Sequence, residues 1–284
     1  MNAVFRGFVL ASALLAPLAV RGATAPYAES FDGYATGDTA VVNFTELSSL
    51  NWGIVSPSYS GKAYENGISA TSASAGFAAG TGASSTISFP ALASASFSMS
   101  TTFRIDLLTV AGTHPQNAAA IGLTARSVDA IPASTSADRY DVSYFLEDDG
   151  LGHGTGRLWL HEVNLFFGDS LNELSASTLT VAPGDIYKLT LSGVASGPSL
   201  ALSATLTNLT TSAAISVSDV DGSNLVAGSN FGYINYIRVV DVGTVSLNAD
   251  FDDFSMVPEP TAQVIIAAMA VGALTFRPRF SHLD

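Results

Sequence analysis

The sequence predicts an all-β protein, an antiparallel sandwich or jelly roll, and three observations predict it. Apolar and polar residues alternate in short runs: Thr86-Ile87-Ser88-Phe89, Phe97 to Ile105, Tyr187 to Leu191 and Leu200 to Leu206. A period of two is that of a strand with one face buried. Turn-forming pairs separate such runs, namely Asp149-Gly150, Pro183-Gly184, Ser192-Gly193, Gly197-Pro198 and Asp221-Gly222. No stretch between residues 26 and 256 carries the long 3.6-residue pattern of a surface helix. Many short strands divided by close turns favour a sandwich.

Residues 1–25 precede this body. Arg6 is the one charge ahead of an apolar stretch from Gly7 to Val20, and Ala23-Thr24-Ala25 offers an A-x-A cleavage pattern. The segment therefore reads as a secretory signal peptide. Pro26 directly after that pattern leaves cutting after Gly22 or Ala23 as alternatives.

The body, residues 26–255, is long enough for one large sandwich. Between 26 and 256 there are seven basic and 22 acidic residues, a net charge of −15. So acidic a domain carries no electrostatic footprint for nucleic acid and is repelled by anionic lipid. The chain has no cysteine, so its core must hold it without disulfides. Segment 66–85 is nearly all Gly, Ala, Ser and Thr, which fits an ordered but plain strand pair or a long surface loop.

The hairpin around residues 140–167 is the most chemically varied part. Tyr140 to Glu147 alternates, Asp148 to Gly156 turns, and Arg157 to Phe167 returns. On the return strand Arg157, Trp159 and His161 share one face, opposite Leu158 and Leu160. An aromatic ring flanked by polar donors suits a sugar, whose C–H patches stack on the ring while its hydroxyls pair with the donors. Tyr144, Tyr236 and Arg238 are further candidates for this glycan face. The competing reading is that Trp159 and the tyrosines pack the sandwich.

The last segment, 256–284, is unlike the rest. Pro258-Glu259-Pro260 leads into Thr261 to Phe276, sixteen residues of which only Thr261, Gln263 and Thr275 are polar, and Arg277 and Arg279 close the run. As a helix, 261–276 spans about 24 Å, a little short of a hydrocarbon core of about 30 Å. The two prolines stop the helix from extending backwards. The arginines favour an orientation with the body outside the cytoplasm. This is a marginal transmembrane helix that holds a chain transiently.

The proline-glutamate-proline motif, the small-residue helix and the basic end together resemble the PEP-CTERM sorting signal. The resemblance covers about residues 257–279; Pro258 and Glu259-Pro260 match its motif, and Arg277 and Arg279 its basic end, although Pro278 splits a cluster that the family usually keeps tight. It implies an exosortase-type membrane protease as partner, and delivery to the cell surface or extracellular polysaccharide. The two ends of the body, Glu29-Ser30-Phe31-Asp32-Gly33-Tyr34 and Asp250-Phe251-Asp252-Asp253-Phe254, are similar to those of concanavalin A-like (laminin-G-like) jelly rolls. That resemblance implies that the first and last strands lie side by side. At the end strand, Val245, Leu247, Ala249 and Phe251 share one face but Phe254 and Met256 fall on the other, so a β-bulge near Asp252-Asp253 is expected.

Carboxylates at those ends, Glu29, Asp32, Asp250 and Asp252, form a candidate Ca²⁺ set, since that cation takes six to eight oxygens; solvated edge charges are the plainer reading. Asp219 to Asn224 has a faint oxygen-rich look but lacks calcium-loop spacing. No other cofactor is expected. Catalytic patterns are missing. The Glu-x-Asp-x-x-Glu strand motif of laminarinase-type members does not occur, and Glu147, Asp148 and Asp149 are too close in sequence to converge readily as a glycosidase pair. Four histidines (His114, His153, His161, His282) show no metal spacing. The expectation is an exported, surface- or exopolysaccharide-associated, non-catalytic protein with weak glycan binding. A glycan-active hydrolase or lyase and a purely structural matrix protein are the alternatives. Asn43-Phe44-Thr45 and Asn208-Leu209-Thr210 match glycosylation sequons, read as coincidence.

Overall fold

The computed structural model describes residues 26–38, 44–46, 53–56, 61, 63–72, 82–88, 96–112, 118–126, 139–148, 154–163, 172–222, 232–240 and 243–258. The expected signal peptide and the expected helix 261–276 lie outside the described residues. Among those described, no helix is long and apolar enough to cross a membrane.

The described elements are all strands: β1 (Tyr27–Glu29), β2 (Phe44–Glu46), β3 (Gly53–Val55), β4 (Ala63–Ser72), β5 (Gly82–Ser88), β6 (Phe97–Gly112), β7 (Ala118–Arg126), β8 (Arg139–Asp148), β9 (Gly154–Val163), β10 (Asn172–Leu174), β11 (Leu179–Val181), β12 (Ile186–Ser196), β13 (Ser199–Asn208), β14 (Ala214–Asp221), β15 (Gly232–Val240) and β16 (Gly243–Pro258). They form two sheets. The first runs β14-β13-β12-β6-β16-β4-β3, with β1 also on β16, and the second runs β10-β9-β8-β7-β15-β5-β2, with β11 also on β9. Every pairing is antiparallel. The chain changes sheet at β1–β2, β2–β3, β4–β5, β5–β6, β6–β7, β11–β12, β14–β15 and β15–β16, the crossing habit of jelly rolls. The expected all-β antiparallel sandwich is what forms.

The core lies between the sheets. Phe97, Met99, Phe103 and Ile105 of β6 and Leu189 and Leu191 of β12 belong to one buried cluster with Ile121, Leu123, Val142, Tyr144, Leu158 and Leu160 of the second sheet. Alternation dictates this: along β13 every second residue from Leu200 is buried. Each such Leu or Phe contributes about 1.5–3 kcal/mol of transfer free energy.

Three local expectations need correction or refinement. Ser192-Gly193 is no turn but part of β12. Gly193 sits there because a Cβ would lie 2.6 Å from Phe97 Cε1, so a strand glycine makes room for a core ring. Segment 66–85 is not a strand pair: β4 joins the first sheet and β5 the second. Asp219 and Asp221 belong to β14 rather than to a loop.

The expected bulge is present. The β16–β6 register shifts between Asp252 and Ser255, and Asp253 adopts a φ of 46°. With the extra residue absorbed, Ala249, Phe251, Phe254 and Met256 all reach the core. The first and last strands do lie together, with Tyr27 opposite Met256 and Glu29 opposite Phe254. β16 carries the sandwich to Pro258, three residues past the end drawn from sequence at 255.

Candidate functional site at the edge of the second sheet

β9 pairs with β8 on one side and with β10 on the other, so the register fixes what stands beside each outward residue. Trp159 lies between Ser143 and Leu174, and His161 between Asp141 and Asn172. The Trp159 and His161 rings stack at 4.6 Å between centroids and 15° between planes. Both are half-buried, Arg157 is exposed, and Leu174 is 54% exposed. Deeper in the same face, Thr124 donates a hydrogen bond of 2.6 Å to Asp141 Oδ1, and Thr124 and Ser143 are buried. The result is a strip along the β9–β10 edge: an aromatic stack, an apolar flank at Leu174, and polar groups at His161 and Asp141 backed by the buried Thr124 and Ser143. Such a mosaic can stack on a pyranose face while pairing with its hydroxyls.

Tyr144 does not belong to it. It pairs with Leu158, so it points inward with the core; it is fully buried and donates a 2.7 Å hydrogen bond to the Leu179 carbonyl. Burial pushes its phenol well above the usual tyrosine range. For Tyr144 the packing reading holds. Tyr236 does share the row, because its backbone pairs with Gly122, Gly122 with Ser143, and Ser143 with Trp159. Three strand steps separate the two positions, about 14 Å; the Tyr236 and Arg238 side chains lie outside the described residues.

The Ca²⁺ candidates split into two groups. Asp250 is held by Arg104 Nη2 at 2.8 Å, and the same guanidinium engages Asp106 through Nε at 2.6 Å. Glu29 accepts the Phe31 N–H at 2.9 Å and the hydroxyls of Tyr27 and Tyr34. Asp32 packs against Gly61, whose φ is 134° and where a Cβ would lie 2.5 Å from Asp32 Oδ1. Asp252 accepts the Asp253 N–H at 2.7 Å. Burial, and then the charges of Asp253, Asp32 and Glu29, push the Asp252 carboxyl up to about 7. Among the described residues no group of three or more such side chains is arranged to hold a metal ion. The four expected carboxylates do not all come together: Arg104 takes Asp250, whereas Glu29 and Asp32 lie close enough to Asp252 to raise its carboxyl.

Two buried carboxylates escaped the sequence reading. Glu162 and Asp221 face the interior, and Tyr140 donates its hydroxyl to Asp221 across the sandwich. Parity could have found Glu162, which shares the face of Leu158 and Leu160. Asp221, expected at a turn, instead closes β14. Successive residues Glu147 and Asp148 both lie in β8. The Asn208 sequon is unusable as folded. Asn208 is buried, its amide donates 2.8 Å to Asp185 Oδ2, and its Oδ1 accepts the N–H groups of Thr210 and Thr211 at 2.8 and 3.0 Å.

No family model and no curated protein matches the chain. Solved structures of low identity do. Scytalido-glutamic peptidase bound to a peptide-based transition-state analogue is 17% identical over 56% of this chain, with a TM-score of 0.30; the match spans 61% of the peptidase, less than two thirds. Lectin UEA-II complexed with galactose is 11% identical, with 81% of this chain and 98% of the lectin covered and a TM-score of 0.44. The alginate lyase from Klebsiella pneumoniae is 13% identical, with 76% and 86% covered and a TM-score of 0.43.

Proposed function

We propose that the chain is an exported, non-catalytic protein of concanavalin A-like jelly-roll form, sorted to the cell surface or the extracellular polysaccharide, which binds glycan through the Trp159 strip. The observation that carries the binding part is that Trp159 stands half-buried on the outer face, stacked with His161, although an apolar core was available to take it. A ring kept partly in water beside Arg157 and Asp141 has the make-up of a sugar platform.

The sorting part rests on residues 1–25 as a signal peptide and on Pro258-Glu259-Pro260, helix 261–276 and Arg277 and Arg279 as an exosortase substrate. A glycan array probed with the wild type and with Trp159→Ala, in calcium and in chelator, tests the binding part. Binding that disappears in the variant supports it, and absence of binding to any glycan favours a purely structural matrix role. Glu259→Ala tests the sorting part: impaired removal of the tail supports it, and unchanged processing contradicts it.

A further inference from the structure

Both chain ends leave the sandwich at one place. Tyr27 opens β1 opposite Met256, and Pro258 closes β16 opposite Phe97 at the start of β6. Phe97 in turn stands opposite Gly193 near the end of β12, beside the β12–β13 turn at Gly197-Pro198. Only three peptide steps separate Pro258 from Thr261, at most about 11 Å of chain. If residues 261–276 enter a bilayer, this end of the first sheet must lie against it.

The end is built for that position. Of the five exposed large apolar residues among the described ones, three gather here: Val194 at 50%, Val220 at 63% and Val257 at 43% exposure. Val194, Ala201 and Val220 form one outward row across β12, β13 and β14, and Val257 belongs to the next row through Ser98 and Ser192. Charge is kept away. From Leu189 to Ser218, from Ser96 to Phe103 and from Phe254 to Pro258 the chain has no charged residue, in a protein of net charge −13. Of the acids nearby, Asp221 is buried under the Tyr140 hydroxyl and Asp219 is half-buried, capping the Val220 N–H at 2.7 Å. On the second sheet, Arg126 and Arg139 stand opposite each other where β7 ends and β8 begins, one residue from Tyr140. Of the charged groups of the first sheet, Glu29, opposite Phe254, and Asp252 and Asp253 lie nearest, at the bulge three to five residues before Val257, and Arg104, Asp106, Lys188 and Asp250 lie farther along the strands.

We infer that this end of the sandwich is a bilayer-facing surface, in which Val194, Ala201, Val220 and Val257 rest on the lipid headgroup region while the C-terminal segment is inserted. An uncharged apolar row avoids the repulsion that an acidic protein meets at an anionic membrane and buries apolar surface at the boundary. The inference rests on the reading of residues 261–276 as a membrane segment, and its test separates the two.

The chain has no cysteine, so a single environment-sensitive label can be placed at Ser196→Cys, at this end, or at Thr211→Cys, in the exposed turn at the far end. The full chain is reconstituted with phosphatidylethanolamine–phosphatidylglycerol vesicles carrying a headgroup quencher. Co-flotation with several-fold stronger quenching at position 196 than at 211 is expected. Val194→Asp with Val220→Asp is expected to abolish that difference while flotation persists. Co-flotation with equal quenching at both positions overturns the bilayer-facing surface and leaves the anchor standing. Loss of flotation overturns the anchor and the surface with it. Protection of position 196 without vesicles, growing with protein concentration, assigns the row to a second copy and overturns the inference.

Discussion

Asp252 and Phe254 are two residues apart in β16 yet serve opposite sides of the first sheet. Asp252 pairs with Thr102 on the outer face, while Phe254 enters the core and meets the Tyr27 ring at 6.1 Å. Asp253, at a φ of 46° between them, is the extra residue that makes the switch. The bulge falls where β4 stops and β1 takes over beside β16: Phe251 still pairs with Tyr64, whereas Phe254 pairs with Glu29. It also places Asp252 in a buried setting near three other carboxylates.

That setting fixes a pH dependence. Burial and neighbouring charge raise the Asp252 carboxyl from 3.8 to about 7. Between those values the folded state holds a proton that the unfolded chain has lost, so this group's contribution is full below pH 4 and is lost as pH rises through about 7. Asp252→Asn keeps an oxygen for the Asp253 N–H and has no charge to bury. Thermal unfolding in chelator at pH 8 should therefore show the variant melting several degrees above the wild type, with the gap closing by pH 4. A variant that melts lower at pH 8 would show that the carboxylate is stabilised there instead.

Trp159 and Tyr144 separate binding from packing. Trp159→Ala should abolish glycan retention and leave the melting temperature within a few degrees. Tyr144→Phe removes a buried hydrogen bond to the Leu179 carbonyl, which costs about 0.5–1.5 kcal/mol of stability, and should leave retention unchanged. Affinity electrophoresis and chemical denaturation of the two variants read the two effects independently.

Gly193→Ala tests the core at the β12–β6 contact. The added methyl would fall 2.6 Å from Phe97 Cε1, and Phe97, fully buried, has no free space to enter. Overpacking of this kind costs about 1–3 kcal/mol. Urea denaturation should show the midpoint falling with the slope unchanged.

Asn208→Ala should cost about 1–3 kcal/mol, because it strips partners from Asp185 and from the N–H groups of Thr210 and Thr211. A chain expressed in a glycosylating secretory host and isolated folded should carry no glycan at Asn208 by mass spectrometry.

Period and parity made much of this fold legible. β13 and β12 alternate in sequence and alternate in burial, whereas in β6 the run from Met99 to Phe103 is buried on both faces. The bulge at Asp253 was visible because Phe251 and Phe254 fall out of phase. What was not legible depends on contacts across the sheets. Gly193 reads as a turn residue until Phe97 is placed beside it, and Asp250 reads as a cation ligand until Arg104 pairs with it. Tyr144 could have been excluded by parity within β8, since it shares a face with Tyr140 and Val142. Asp141 and Leu174 reach the Trp159 strip only through strand register, which local patterns do not specify.

We propose that the sandwich is carried out of the cytoplasm and held by its C-terminal segment until a membrane protease releases it. Expression of the full chain in a host with an exosortase, followed by fractionation and mass spectrometry of both termini, tests it most directly. The expected product is an extracytoplasmic sandwich that has lost residues up to about 25 and been cut near Pro258-Glu259-Pro260, with a membrane-bound uncut form when the protease is deleted. Intact polypeptide recovered from the cytosol without detergent would contradict it.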